Sequence, residues 1–341
     1  MDIGTFLLMQ SPSARPSEEM YARAIEQAQA AESLGFRNVW LGEHHFSTYG
    51  YLSRPLQLAS YLAAKTTRLR VGTAVIVVPL HHPLLIAEEV AMLDVLSNGR
   101  ADIGLGRGYQ RYEFERFGQQ LDADGQRWNE SLDILLKAFE GEPFSYDGKL
   151  FKIPETSIFP KPVQKPRPPI WVTGQSPYAI EAAARRGLNV LTGGFGLPVE
   201  RLAEFGKFFS KAVDEVKPAT RPLVGVQRAV YVTKDAADAR DAAEHALWNM
   251  RVTLSLRNNY ERVENGRAIS VPGKTEPTID ELLERHLIIG TPETCVRQIR
   301  RVQELVGISH FNCSFWFGDL DQSRVLKSME LFSREVMPAF V

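Results

Sequence analysis

Apolar positions follow two alternating rhythms along this chain. Short runs in which nearly every position is apolar read as buried strands: "DIGTFLL", "RNVWLG", "RLRVGTAVIVV", "RADIGLG", "PIWVTG", "LNVLTG", "PLVGVQRAVYVT" and "GISHFNCSFWFG". Between them, apolar residues recur every three or four positions, as on one face of a helix. Tyr21, Ala24, Ile25, Ala28, Ala31 and Leu34 mark the first such face. Ser17 is expected to cap that helix, Glu18 and Glu19 suit its first turn, and Gly35 suits its end. Seven further helices are read in "PLQLASYLAAKT", "PLLIAEEVAMLDVLS" (stopping at Asn98-Gly99), "RWNESLDILLKAF", "PYAIEAAARRG", "PVERLAEFGKFFSKAVDEV", "AADARDAAEHALWNMRVTLSL" and "QSRVLKSMELFSREVMP".

Eight strand–helix pairs imply parallel strands joined by right-handed crossovers. The predicted fold class is α/β, a (β/α)8 TIM barrel, with residues 1–341 as a single domain. The passage 154–169 is Pro-rich and is read without an element. Residues 255–286, between the seventh helix and the eighth strand, are too long for an ordinary connection. They contain the polar stretch "NNYERVENGRAISVPGKTEPT". An insertion over 255–287 is expected, acting as a mobile lid.

Composition narrows the field. The 341 residues are 44% hydrophobic and 24% charged with a net charge of -1, so a large soluble core is affordable and nucleic acid is not an expected partner. No run reaches the length of a membrane span, and the first residues lack a basic leader. Two cysteines, Cys295 and Cys313, make neither a disulfide framework nor a cysteine metal site. A cytoplasmic protein is expected.

In such a barrel the chemistry gathers at the C-terminal ends of the strands. The second strand ends in Glu43-His44-His45-Phe46, the third leads to His81-His82-Pro83, the fourth ends in Gly104-Leu105-Gly106-Arg107-Gly108-Tyr109, and the fifth in Gly174-Gln175-Ser176. His44 is the leading catalytic candidate, with His45 and His82 next in line. His44 and His45 point in different directions if strand geometry persists, and neither the first nor the fifth strand carries a histidine, so no metal is expected. The glycines near residue 106 let a bulky ligand approach the backbone. They fail the dinucleotide fingerprint, because Tyr109 stands at the third glycine. Arg107 suits a phosphate, with a structural ion pair as the alternative. Ser176, at the start of a helix, also favours an anion. Together these residues suggest a phosphate-bearing cofactor across the fourth and fifth strands.

The segments "GTFLLMQSP", "LGFRNVWLGEHHFSTYG", "VGTAVIVVPLHHPLLIAEEVAMLDVLSNGRADIGLGRG", "RRGL", "GTPETCVRQI" and "LFSREVMPAF" resemble the bacterial luciferase-like flavin-dependent monooxygenases over nearly the whole chain. The resemblance implies a barrel that takes reduced FMN from a separate reductase and, with oxygen, by way of a flavin peroxide, oxygenates a small organic substrate such as an aldehyde or ketone. It implies that His44 is catalytic and that Arg107 and Ser176 contact phosphate. It also implies that Ala74-Val75 forms a non-proline cis peptide beneath the flavin, with Gly106, Tyr109, Gly174 and Gln175 beside the cofactor. The light-emitting subunit of that family has a cysteine where this chain has Gly106, a glutamate at Gln175 and a threonine at Ala179. A dark enzyme and a homodimer are therefore expected, the dimer contact falling on the second and third helices around Ala59, Ser60, Ala63, Ala64, Leu85, Val90, Leu93 and Leu96. Phe6, Tyr109, Phe195 and Trp316 are candidates for an aromatic mouth that excludes water. Two other readings stay open: a deazaflavin-dependent hydride-transfer enzyme and a non-catalytic FMN-binding flavoprotein.

Overall fold

Eight parallel strands, each followed by a helix, close on themselves in the computed structural model. The order is β1 (Asp2–Leu7), α1 (Ser17–Ser33), β2 (Asn38–Leu41), α2 (Pro55–Lys65), β3 (Arg70–Thr73), α3 (Pro83–Leu96), β4 (Ala101–Gly106), α4 (Gln126–Glu140), β5 (Ile170–Thr173), α5 (Pro177–Arg185), β6 (Asn189–Gly193), α6 (Val199–Val216), β7 (Val224–Val232), α7 (Ala236–Arg257), β8 (His310–Ser314) and α8 (Gln322–Glu335). The structure describes all residues except 122–124, 175, 194–196, 259–261 and 341, and the side chain of Tyr178. Each strand pairs in parallel with the next, and β8 closes on β1 through Ile3 opposite Phe311. Among the described residues no helix is long and apolar enough to cross a membrane.

The strands are buried on both faces, which is why they read as continuous apolar runs. Their outer faces meet the helices in one large core, including Val39, Leu41, Val71, Ile103 and Phe311. The interior holds a second cluster in which Trp40 and Trp171 meet edge to face at 5.6 Å. Gly72 makes room for it, since a Cβ there would lie 2.6 Å from the Trp40 ring.

Several local expectations need correction. Ser17 is the first residue of α1 rather than its cap, and its side chain makes no capping bond. The third strand is interrupted: after Thr73 comes a cis peptide bond between Ala74 and Val75, and pairing resumes at Ile76 and Val77. The 154–169 passage begins inside a hairpin of Phe144–Asp147 and Lys152–Thr156. A short helix, Arg111–Arg116, follows β4; six residues carry too little periodicity to be read.

The insertion is also differently built. Residues 255–257 complete α7. Val263–Glu264 and Arg267–Ala268 form a hairpin whose Gly266 carbonyl accepts the Thr48 N–H and whose Ala268 N–H donates to the Thr48 hydroxyl. Beyond it, strand Ile288–Gly290 pairs with the far half of β7, and helix Pro292–Val306 packs behind it. Neither was anticipated, because the three-residue strand is shorter than any alternation can reveal.

Candidate active site

The ends of the strands enclose a cavity of about 360 Å³. His44, Ala74, Val75, Arg107, Tyr109 and Gly174 all line it. These residues come from the loops after β2, β3, β4 and β5, so closure of the barrel brings together what the chain keeps apart.

His44 is oriented by a residue that the sequence did not single out. Its Nδ1 lies 3.0 Å from Oε1 of Glu113, on the short helix after β4. The same oxygen accepts the backbone N–H of His45 at 2.8 Å. An ionised carboxylate only accepts, so the Nδ1 proton belongs to His44 and is donated to Glu113. The side-chain amide nitrogen of Gln110 also lies 3.0 Å from this ring nitrogen, and with the proton on Nδ1 the matching amide orientation is the flipped one, oxygen toward the ring. This leaves the Nε2 lone pair available at the cavity wall. A buried carboxylate that holds an imidazole in one tautomer is the arrangement used wherever histidine must accept a proton.

His45 and the third-strand histidines do something else. His45 Nε2 and His81 Nε2 both donate to Glu43 Oε1, at 2.8 and 2.6 Å, and the Val77 N–H donates to Oε2 at 2.8 Å. Burial pushes the Glu43 carboxyl upward, but these bonds outweigh it and hold the group down at about 2. Arg54 donates to His81 Nδ1 and to Glu89, which carries the network outward. Glu43 thereby ties the loop after β2 to the strand that resumes beyond the cis bond. His82, one of the three candidate histidines, is turned away from the cavity. Its Nδ1 accepts the Leu84 N–H at the start of α3, and its ring lies against Phe151. His45 likewise does not line the cavity; its ring is bonded to Glu43.

A chain of hydroxyls runs from Tyr109 into the barrel mouth. The Tyr109 and Tyr49 hydroxyls are 3.1 Å apart, and Tyr49 meets the Thr253 hydroxyl of α7 at 2.9 Å. Burial pushes the Tyr109 phenol well above its ordinary range and that of Tyr49 upward as well, so both remain protonated and able to donate.

Gly106 lies under the cis segment, where a Cβ would come 2.4 Å from the Val75 side chain. A side chain here requires Val75 to shift. Ser176 caps α5, its hydroxyl accepting the Ala179 N–H. Phe6 lines the cavity, but Trp316 does not belong to the mouth: it lies under the Arg23 guanidinium, 4.5 Å from the ring centre. Gln175 and Phe195 fall outside the described residues.

Sequence reasoning also passed over Thr192, Asn312 and Arg257, which line the cavity. Thr192 Oγ1 and Asn312 Oδ1 are buried and have no partner among the described residues. The signal for the two was a polar residue at an inward position of an otherwise apolar strand. For Glu113 it was an acid between two buried aromatics, Tyr112 and Phe114.

Residues 1–309 match the family described as luciferase-like monooxygenase. The oxygenase component of a flavin-dependent trigonelline monooxygenase from Acinetobacter baylyi is 31% identical over 355 residues, covering 100% of this chain and 96% of that protein. Among solved structures, monooxygenase RslO1 from Streptomyces bottropensis superposes with a TM-score of 0.87 at 24% identity, covering both chains fully. The oxygenating constituent of 3,6-diketocamphane monooxygenase from Pseudomonas putida, in complex with FMN, gives 0.81 at 20% identity, covering 100% of this chain and 99% of that one.

Proposed function

This chain belongs to the luciferase-like monooxygenase family and is an oxidoreductase, and from that premise we propose that it is the oxygenase of a two-component system using reduced FMN and oxygen. The observation that carries the reading is the His44–Glu113 pair at the wall of a cavity whose remaining polar groups suit a flavin nucleotide.

The residues present fit that group. Thr192 Oγ1 and Asn312 Oδ1, buried with no partner among the described residues, suit the polar edge of an isoalloxazine ring. Arg107 supplies a cation for the phosphate, and the first N–H groups of α5 at Ser176 suit the same charge. Ala74, Val75, Gly106, Tyr109 and Gly174 complete the cofactor side. When bound, reduced flavin supplies the electrons that activate oxygen. His44, with its proton fixed on Nδ1, accepts a proton at Nε2 or steadies developing negative charge. Tyr109 donates a hydrogen bond from its protonated hydroxyl. Phe6 and the aromatic wall keep water out, and the segment 255–287 acts as the lid.

The oxygenase component at 31% identity supports delivery of reduced flavin by a separate reductase, and we place both in the cytoplasm. Exposed Tyr61 on α2 and Leu85, Met92 and Leu96 on α3 form an apolar face that supports a homodimer. Within the expected set, Ala59, Ala63, Val90 and Leu93 are buried inside the protomer instead. The test is to mix the purified chain with reduced FMN and oxygen, and separately with reduced deazaflavin. Consumption of oxygen with incorporation of one labelled atom into product supports the reading; hydride transfer from the deazaflavin alone overturns it.

A further inference from the structure

Assigning Arg107 to the phosphate leaves a second cavity arginine unused. Arg257 is the last residue of α7 and lines the cavity. Its guanidinium carbon lies 5.2 Å from the centre of the Tyr109 ring. Among the described residues it has no carboxylate within ion-pair distance. The nearest arginines along the chain do: Arg251 holds Glu276 at 2.7 Å and Arg262 holds Glu264 at 2.6 Å.

The cavity's own acids are already engaged. Glu43 accepts from His45, His81 and the Val77 N–H, and Glu113 accepts from His44 and the His45 N–H. A guanidinium laid against an aromatic ring is partly ordered while its N–H groups remain able to take a planar carboxylate in two parallel bonds. Such a cation, facing a cavity with no carboxylate partner among the described residues, is suited to balance an anion that the cavity receives.

The same tyrosine ring also lies beside the catalytic candidate. Its centre is 6.0 Å from that of His44. A ligand held at Arg257 therefore reaches His44 along the Tyr109 ring, past an apolar wall that includes Phe6 and Leu191.

Resting on the flavin reading above, we propose that the substrate is a small organic carboxylate, its anionic group held by Arg257 and its reacting portion brought to His44 about one aromatic ring away. A cyclic body between the two ends matches the aromatic wall. Arg257 thus selects the substrate, and Arg107 the cofactor.

The probes are benzoate and nicotinate, each beside its neutral carboxamide. Their binding to the full chain is followed by saturation-transfer NMR, with and without FMN, and FMN affinity is measured separately by fluorescence. The carboxylates are expected to bind more tightly than the carboxamides. Arg257→Gln should weaken the carboxylates about 10- to 100-fold, the loss of a charge-assisted pair, while FMN affinity stays unchanged and Arg257→Lys recovers part of the loss. Melting temperatures check that both variants fold. Equal binding of acids and amides, no binding of either acid at millimolar concentration, or no effect of Arg257→Gln overturns the proposal. A parallel loss of FMN affinity also overturns it, by assigning Arg257 to the phosphate. If the acids bind through Arg257 but FMN does not bind at all, the flavin reading fails and the carboxylate site stands.

Discussion

Glu113 Oε1 stands between two consecutive residues of the loop after β2, 3.0 Å from the His44 side chain and 2.8 Å from the His45 backbone nitrogen. One carboxylate thus fixes both the tautomer of the imidazole and the path of the chain that carries it. Replacing His44 by Ala should leave FMN binding intact and lower product formation by about 10²–10⁴-fold, the usual contribution of an acid–base group. Glu113→Gln keeps the shape, but its amide can offer an N–H to Nδ1 and move the proton to Nε2. A loss approaching that of His44→Ala, measured in single turnovers with pre-reduced flavin, is expected. A rate equal to wild type would reduce Glu113 to a structural contact.

Arg107→Ala should weaken FMN far more than riboflavin. The deleted charge-assisted contact to phosphate contributes about 1.5–3 kcal/mol, and riboflavin has no phosphate to lose. Fluorescence titration of both ligands decides this. Equal losses would return Arg107 to a structural ion pair.

The Glu43 cluster should make stability depend on acid. Its carboxyl is held at about 2, below the ordinary 4.5, so the folded state favours the ionised form. The contribution is fully present above pH 4.5 and is lost as the pH falls toward 2, amounting to about 3 kcal/mol for a group this buried. Urea unfolding between pH 6 and pH 3 should therefore show wild type and Glu43→Gln converging as the pH drops. A constant difference would place the effect in packing rather than charge.

The hairpin of residues 263–268 is held to the loop after β2 at Thr48. Thr48→Ala removes the acceptor for the Ala268 N–H, a bond worth about 1 kcal/mol. Faster tryptic cleavage at Arg262 or Arg267 is expected, together with more reduced flavin lost as hydrogen peroxide when water reaches the site. Cleavage that accelerates without any rise in peroxide would separate the hairpin from the lid role.

The apolar face on α2 and α3 should hold two copies together. Met92 and Leu96 are 50% and 63% exposed, so carboxylates at these positions are tolerated in an isolated protomer but not in a buried contact. Sedimentation should find a dimer for wild type and a monomer for the Met92→Glu, Leu96→Glu double variant. A wild-type monomer would overturn the dimer outright.

The features legible in the chain are local in origin. Strands buried on both faces and helices with one apolar face are written in short-range periodicity, and their eightfold alternation admits few closed arrangements. The asparagine-glycine stop after α3 and the gathering of His44, Arg107, Tyr109 and Gly174 at one rim follow from that alternation, whereas Ala59, Ala63, Val90 and Leu93 turn inward and not to the surface. Tertiary structure alone decided which partner each reactive side chain meets. Glu113 reaches His44 because a six-residue helix, too short for any period, packs against the loop after β2. His81 rather than His82 reaches Glu43 because the short helical turn Val78–Leu80 ends at His81, while His82 is taken up at the start of α3, accepting the Leu84 N–H. Strand Ile288–Gly290 exists because β7 outruns its barrel neighbours and leaves backbone groups to pair. These are contacts between loop ends far apart in sequence, and loops carry no repeating pattern from which their direction could be read.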